Sequence, residues 1–278
     1  MTRPYPLVAV LLIAFTGWAA PTVAQQAPIT NGQLAVQPAG APFVRAFTSL
    51  VASEPDVAWI GYTIATTHDR LDRDCYGNTD LTPKHSGTVK LEGSDRMIVM
   101  FRVAEKRIDR IRVFSEECQL DAGGRPVRWF ETVKAADSIA LLESLIAGDA
   151  DRRDRIRGGA LAALSLHAEP AATDTLIRLA RNGTTPGLRG DALFWLAQRA
   201  GQKAAASITE RIEQDPDTEV KRRAVFALSQ LPKDEGVPLL INVARTNTNP
   251  AVRKQAMFWL GQSKDPRAIE FFAEILSK

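Results

Sequence analysis

The chain has 278 residues, 45% hydrophobic and 24% charged, which excludes a disordered, collagen-like or multi-span membrane chain. With 35 basic and 32 acidic side chains the formal charge is +3, too balanced for a dedicated nucleic-acid binder, so no nucleic-acid partner is expected. Two cysteines and three histidines exclude a Cys/His zinc ribbon and leave little for histidine-based metal catalysis; no metal site and no cofactor is expected.

Arg3 precedes nine uninterrupted apolar residues, Leu7 to Phe15. Such a run is too short to cross a hydrocarbon core of roughly 30 Å but fits the h-region of a secretory signal. Gly17 and Pro21 follow, then Thr22-Val23-Ala24, whose small first and third residues suit signal peptidase. Residues 1–24 are read as a signal peptide cleaved between Ala24 and Gln25, which makes the mature protein periplasmic or secreted. Cys75 is the first cysteine, so no lipid-modified N-terminal cysteine and no stable membrane anchor is expected. In an oxidising compartment Cys75 and Cys118 have only each other and are expected to pair, two buried thiols being the alternative. Closing a loop of that size stabilises by roughly 4 kcal/mol in the chain-entropy account.

Residues 25–42, rich in Gln, Ala, Pro and Gly without periodicity, read as a flexible leader. Phe43, Phe47, Leu50 and Val51 then recur at helical spacing. The runs 57–66 and 88–91 are rich in β-branched residues, the first in aromatics as well, as strands are. Met97–Val103 and Ile108–Phe114 read as a hairpin joined by Ala104 to Arg107. Its alternation places Met97, Val99, Phe101, Val103, Ile111 and Val113 on a buried face and Arg102, Arg110 and Arg112 on a wet one. Gly123-Gly124 and Pro126 mark a turn before Trp129-Phe130. Residues 43–132 are therefore expected as a small, mainly antiparallel β-rich domain.

Residues 133–278 read as a helical solenoid. A shift of 32 aligns Ile156, Leu188, Val220 and Val252 in one column. Ala160, Ala192, Ala224 and Ala256 form a second column, and Leu164, Leu196, Leu228 and Leu260 a third. A second helix per unit places Leu176, Ile208, Leu240 and Phe272 together, and Ala180, Ile212, Ala244 and Leu276 together. Thr185, Asp217 and Asn249 stand where a helix N-cap is needed, with Pro186 and Pro250 at the first helical position. Ser138 to Ile146 reads as a cap helix ahead of about four helical hairpins. The fold class expected is α+β in two domains: a small antiparallel β domain with one disulfide, followed by an α-solenoid.

The segments VKRRAVFALSQL (from Val220) and VRKQAMFWLGQS (from Val252) resemble the first helix of HEAT-like repeats, of the short bacterial type seen in phycobilisome lyase-like proteins. The resemblance spans residues ~135–278 and implies a scaffold whose curved surface binds protein partners. Iron-dependent hydroxylases of this resemblance carry paired His-Glu dipeptides, of which this chain has none. HEAT-like DNA glycosylases and chromophore lyases do not fit an exported chain.

Three candidate surfaces follow from the repeat. Arg157, Arg189, Lys221 and Arg253 form a basic column, an anion stripe or, as repeat arginines usually do, a brace for the loops. Phe194, Phe226 and Phe258, with Gln198, Gln230 and Gln262 one turn later, form an aromatic and amide ladder. It suits a groove floor for a protein partner, or else the contact with the second helix; Trp195 and Trp259 are read as layer fillers. The last helix carries a wide apolar arc, so Phe271 and Ile275 either tuck under the penultimate repeat or form a homodimer or partner contact. The chain has no G-x-S-x-G elbow, Walker loop, H-E-x-x-H or EF-hand pattern, so no catalytic residue is assigned. The function expected is a non-enzymatic exported scaffold or adaptor for a protein of the cell envelope. An envelope hydrolase or ligand-binding protein with its site around Trp59, Tyr62, His68 and His85 is the alternative; His68-Asp69 with Asp72 and Asp74 reads as a polar loop. N-terminal sequencing of the mature protein is expected to begin at Gln25, and a retained Met1 would contradict the signal.

Overall fold

The computed structural model describes residues 28–40, 42–67, 82–85, 95–147, 153–199 and 202–277. The signal segment with its cleavage point, the run 88–91, Cys75, His68 and the neighbouring aspartates lie outside the described residues. Among the described residues, no helix is long and apolar enough to cross a membrane.

The first part holds strands β1 (Ile29–Thr30) and β2 (Gln33–Pro38), helix α1 (Phe43–Ser53) and strands β3 (Ala58–Ala65) and β4 (Thr82–His85). Strands β5 (Arg96–Ala104), β6 (Arg107–Ser115), β7 (Cys118–Asp121) and β8 (Pro126–Glu131) follow. They form a five-stranded sheet ordered β2-β8-β3-β5-β6 and a three-stranded sheet ordered β1-β7-β4. The β5–β6 hairpin occurs as expected from its alternation, with a tighter turn: Glu105 and Lys106 both have positive φ, the backbone of a type I′ turn. Gly123 and Gly124, also at positive φ, turn the chain from β7 into β8.

Three expectations for this region are corrected. Residues 29–38, read as part of a flexible leader, are strands; β2 runs parallel to β8 from the Gln33/Pro126 pair to the Pro38/Glu131 pair. Leu34 and Val36 remain exposed, so backbone pairing rather than burial holds β2, and burial is what periodicity reports. The sheet is mixed rather than antiparallel throughout: its longest ladders, β3–β5 and β5–β6, are antiparallel as expected, but β8 lies parallel to both β2 and β3. Helix α1 carries the chain from β2 across one face to β3, and β8 fills the slot between those two strands. Nor is one face wet. Met97, Val99, Phe101 and Val103 face α1 and the later helices. Ile98, Met100, Trp59, Trp129 and Val127 form a second core with Leu120 of the three-stranded sheet. The unbroken apolar run Met97–Phe101 is the signature of a strand covered on both sides. Gly61 permits that density, since a Cβ there would meet Met100 Sδ at 2.2 Å. Cys118 is buried in this second core and disulfide-bonded.

On the first face, Phe43 and Phe47 of α1 pack among Tyr62, Phe101 and Phe130, with ring centroids as close as 4.9 Å. Glu54, buried at the end of α1, accepts from Arg128 Nε at 2.6 Å and Nη2 at 3.3 Å and fastens the helix to β8.

Helix α2 (Ala135–Ala147) follows the sheet, and four helical hairpins follow α2. These are α3 (Arg153–Leu166) with α4 (Pro170–Asn182), α5 (Pro186–Gln198) with α6 (Gln202–Gln214), α7 (Thr218–Ser229) with α8 (Lys233–Thr246), and α9 (Pro250–Ser263) with α10 (Pro266–Leu276). The alanine and leucine columns are buried throughout. Thr185, Asp217 and Asn249 each accept backbone N–H groups as N-caps, and Pro186 and Pro250 open their helices.

The sheet and the repeats share one apolar core. The Tyr62 and Ser138 hydroxyls are hydrogen bonded at 2.9 Å, and Thr66 Oγ1 donates to the Leu166 carbonyl at 2.6 Å. Ala168 N–H donates to Ala65 O at 3.0 Å. Helix α3 lies so close to β6 that a Cβ on Gly159 would come within 2.8 Å of both Ile111 Cβ and its carbonyl oxygen, whereas one on Gly158 would meet nothing within 4 Å. Gly158→Ala should therefore stabilise the chain by up to about 1 kcal/mol through helix propensity. Gly159→Ala should destabilise it by about 1–3 kcal/mol through overpacking, with sheet and helix signals lost in one shifted transition. Denaturant unfolding followed by circular dichroism and tryptophan fluorescence measures both.

Candidate functional site

The first helices α5, α7 and α9 lie close along one another, while α4, α6 and α8 are splayed, so the first helices occupy the inner radius of the stack. At 100° per residue, Phe194, Phe226 and Phe258 point away from the buried leucine column onto the free face of that layer. Phe194 and Phe226 are half-buried, because their rings stack on each other at 5.9 Å with an interplanar angle of 7°. Phe226 continues onto Trp259 at 5.0 Å, and Trp259 meets Phe258 edge-on at 5.0 Å. Phe258 is 53% exposed. The aromatic column is thus a partly exposed ladder tied between repeats.

The glutamines are less uniform. Gln198 is half-buried, whereas Gln230 and Gln262 are exposed and line one cleft of about 360 Å³. Trp259, Lys233, Lys264, Leu231 and Val237 also line that cleft. Its composition was not legible as a site in the sequence, where Trp259 reads as a filler. The signal was the charge pattern: residues 250–264 contain Arg253, Lys254 and Lys264 and no acid.

The basic column braces loops. Arg189 donates from Nε and Nη2 to Asp215 at 2.8 and 3.0 Å, and Arg157 pairs with Asp191 at 2.7 Å. Lys221 donates to Glu213 O, and Arg253 to Asn247 O, both at 2.8 Å. Asp215 is buried, and its hydrogen bonds raise the Arg189 pKa. The column therefore serves to brace loops, through carboxylates at Arg157 and Arg189 and through backbone carbonyls at Lys221 and Arg253.

Of the residues considered for a site in the β region, Trp59 and Tyr62 face opposite sides of β3. Burial pushes the Tyr62 phenol pKa up, against the opposing hydrogen bond from Ser138. His85 lies on β4 opposite Cys118, and His68 lies outside the described residues. Among the described residues, no group of three His, Cys, Asp or Glu side chains is placed to hold a metal. Phe271 tucks under the penultimate repeat, the first of the two places expected for it: it is buried beneath Arg245 of α8, whose guanidinium lies 5.4 Å from its ring. Ile275, its companion, is 37% exposed.

His167 is buried at the turn from α3 to α4. Its Nδ1 accepts the Glu169 N–H at 3.3 Å, while Arg199 Nη1 donates to the His167, Ser165 and Leu164 carbonyls at 2.7, 3.0 and 3.2 Å. Burial first, and the Arg199 charge second, lower its pKa to about 4.

Residues 205–278 match the HEAT repeats family. Among solved structures, the chain is similar to the complex of CpcE and CpcF of phycocyanin lyase from Nostoc sp. PCC7120. That match has 22% identity and a TM-score of 0.31, and covers 45% of this chain and 87% of the other. A second is human deoxyhypusine hydroxylase in complex with glycerol, at 19% identity and a TM-score of 0.31, covering 50% of this chain and 60% of the other. No curated protein sequence matches the chain.

The His167 site has a pH consequence. A histidine with a folded pKa near 4, below its unfolded value of 6.5, stabilises the fold above pH 6.5 and loses that stabilisation as pH falls toward 4. The loss is about 3 kcal/mol. Urea unfolding at pH 7.5 and 4 should show this component in the wild type and lack it in His167→Asn.

Proposed function

We propose that this protein is an exported, non-enzymatic scaffold that binds a protein of the cell envelope along the free face of α5, α7 and α9. The observation that carries this reading is the aromatic ladder: Phe194, Phe226 and Phe258 recur every 32 residues, are joined through Trp259, and end on a ring more than half exposed. Aromatic side chains offer large contact area at small entropic cost, and in a solenoid their spacing repeats along an extended partner. Gln198, Gln230 and Gln262 flank the rings with amide groups able to donate to and accept from a peptide backbone. The HEAT repeats over residues 205–278 support a scaffold role. The N-terminal signal pattern supports export, and in that compartment we assign Cys75 as the partner of the disulfide-bonded Cys118.

Affinity capture from the native envelope tests the reading. Wild type is expected to retain a defined partner that a Phe226→Ala/Gln230→Ala variant, still folded by circular dichroism, loses by tenfold or more in recovery. An identical partner set for both proteins, or none for either, would refute the ladder as the site.

A further inference from the structure

Resting on the ladder reading, we propose that the cleft at the C-terminal ends of α7 and α9 is an anchoring site for a carboxylate side chain of an extended, acidic partner segment. The cleft opens beside the ladder and shares residues with it, since Gln230 and Gln262 line both. Its volume of about 360 Å³ admits one side chain of a peptide lying across Phe226 and Phe258. Lys233 enters it from the start of α8, and Lys264 from the end of α9, where a left-handed backbone terminates the helix. Neither ammonium forms an ion pair with a described residue; the carboxylate acting on Lys233 is Asp265, which Arg267 already holds.

Most other cations of the repeats are ion-paired. Arg157 and Arg223 both pair with Asp191, Arg222 with Glu219, Arg181 with Glu210, and Arg245 with Glu274. Lys254, exposed one turn before Phe258, extends the positive charge along α9, which has no acidic residue. The free face of the last two repeats is therefore basic and aromatic together. A partner complementary to it alternates carboxylates with apolar side chains.

Trp259 supplies the link between ladder and cleft. Its ring touches Phe226 and Phe258, and its Nε1–H is buried without an acceptor. Gln230 and Gln262 would hold the segment's backbone on either side of the anchored carboxylate.

Selection of a displayed library of random twelve-residue peptides on the full chain tests the inference. Enriched peptides are expected to combine Asp or Glu with aromatic or aliphatic residues. A Lys233→Gln/Lys264→Gln variant should bind them about tenfold more weakly, with a smaller salt dependence, because two exposed ion pairs are lost. Phe226→Ala should weaken acidic peptides and their glutamine counterparts alike. Enriched peptides without carboxylates, or no effect of the double lysine variant, would overturn the carboxylate anchor while leaving the ladder. Peptides captured equally by Phe226→Ala, or no enrichment at all, would overturn the ladder and the anchor with it. Binding to phosphatidylglycerol vesicles in place of peptides would assign the face to a membrane and overturn both.

Discussion

The close approach of α3 to β6 is the constraint on which the rest depends. Helix backbone meets strand backbone over Ile111 because Gly159 has no side chain, and the junction is then locked by directional contacts. Tyr62 bonds Ser138, Thr66 bonds the Leu166 carbonyl, and Arg199 reaches back from α5 to hold the three carbonyls that end α3. A cation at a helix C-terminus complements the helix dipole, and a buried carbonyl with a partner avoids a penalty of about 1–3 kcal/mol. The first repeat thereby becomes part of the sheet's core. Its face toward β6 is covered, and only from α5 onward is the equivalent face free.

Beyond that junction the solenoid is additive, each hairpin resting on its neighbours. Arg189 ties the start of α5 to the buried Asp215 ahead of α7, and Asp191 bridges Arg157 and Arg223 across three successive first helices. On the second helices, Arg181–Glu210 and Arg245–Glu274 pair across successive repeats, but Glu213 and Asn242 stand at the equivalent positions between α6 and α8. Such exposed pairs contribute at most about 1 kcal/mol each, so the apolar columns carry the stack and the charges set its register.

What the sequence disclosed divides along the same line. The repeat was legible because a helix buries residues at a fixed period and caps itself locally, so Thr185, Asp217 and Asn249 declare helix starts within a few residues of the backbone they satisfy. The Phe and Gln columns were legible by the same arithmetic. Of the sheet, β3 was legible as a strand from its β-branched and aromatic run, and pairing was legible only at β5–β6, where the partners adjoin in sequence. The pairing of β2 with β8 was not, because its partners lie some ninety residues apart and β2 buries little. The second core was signalled by Ile98 and Met100 between the expected core positions, but its cover, the three-stranded sheet, is assembled from distant segments. The cleft at Trp259 combines α7, α8 and α9 and has no linear signature except the missing acids.

The central claim is that sheet and first repeat fold as one unit whose docking leaves the faces of α5, α7 and α9 free. Native-state hydrogen exchange with peptide-level resolution tests it most directly. The account predicts that amides of β3, β5, α2 and α3 share the slowest exchange and open together under increasing denaturant. Independent opening of the sheet and α3, with separate free energies, would contradict it.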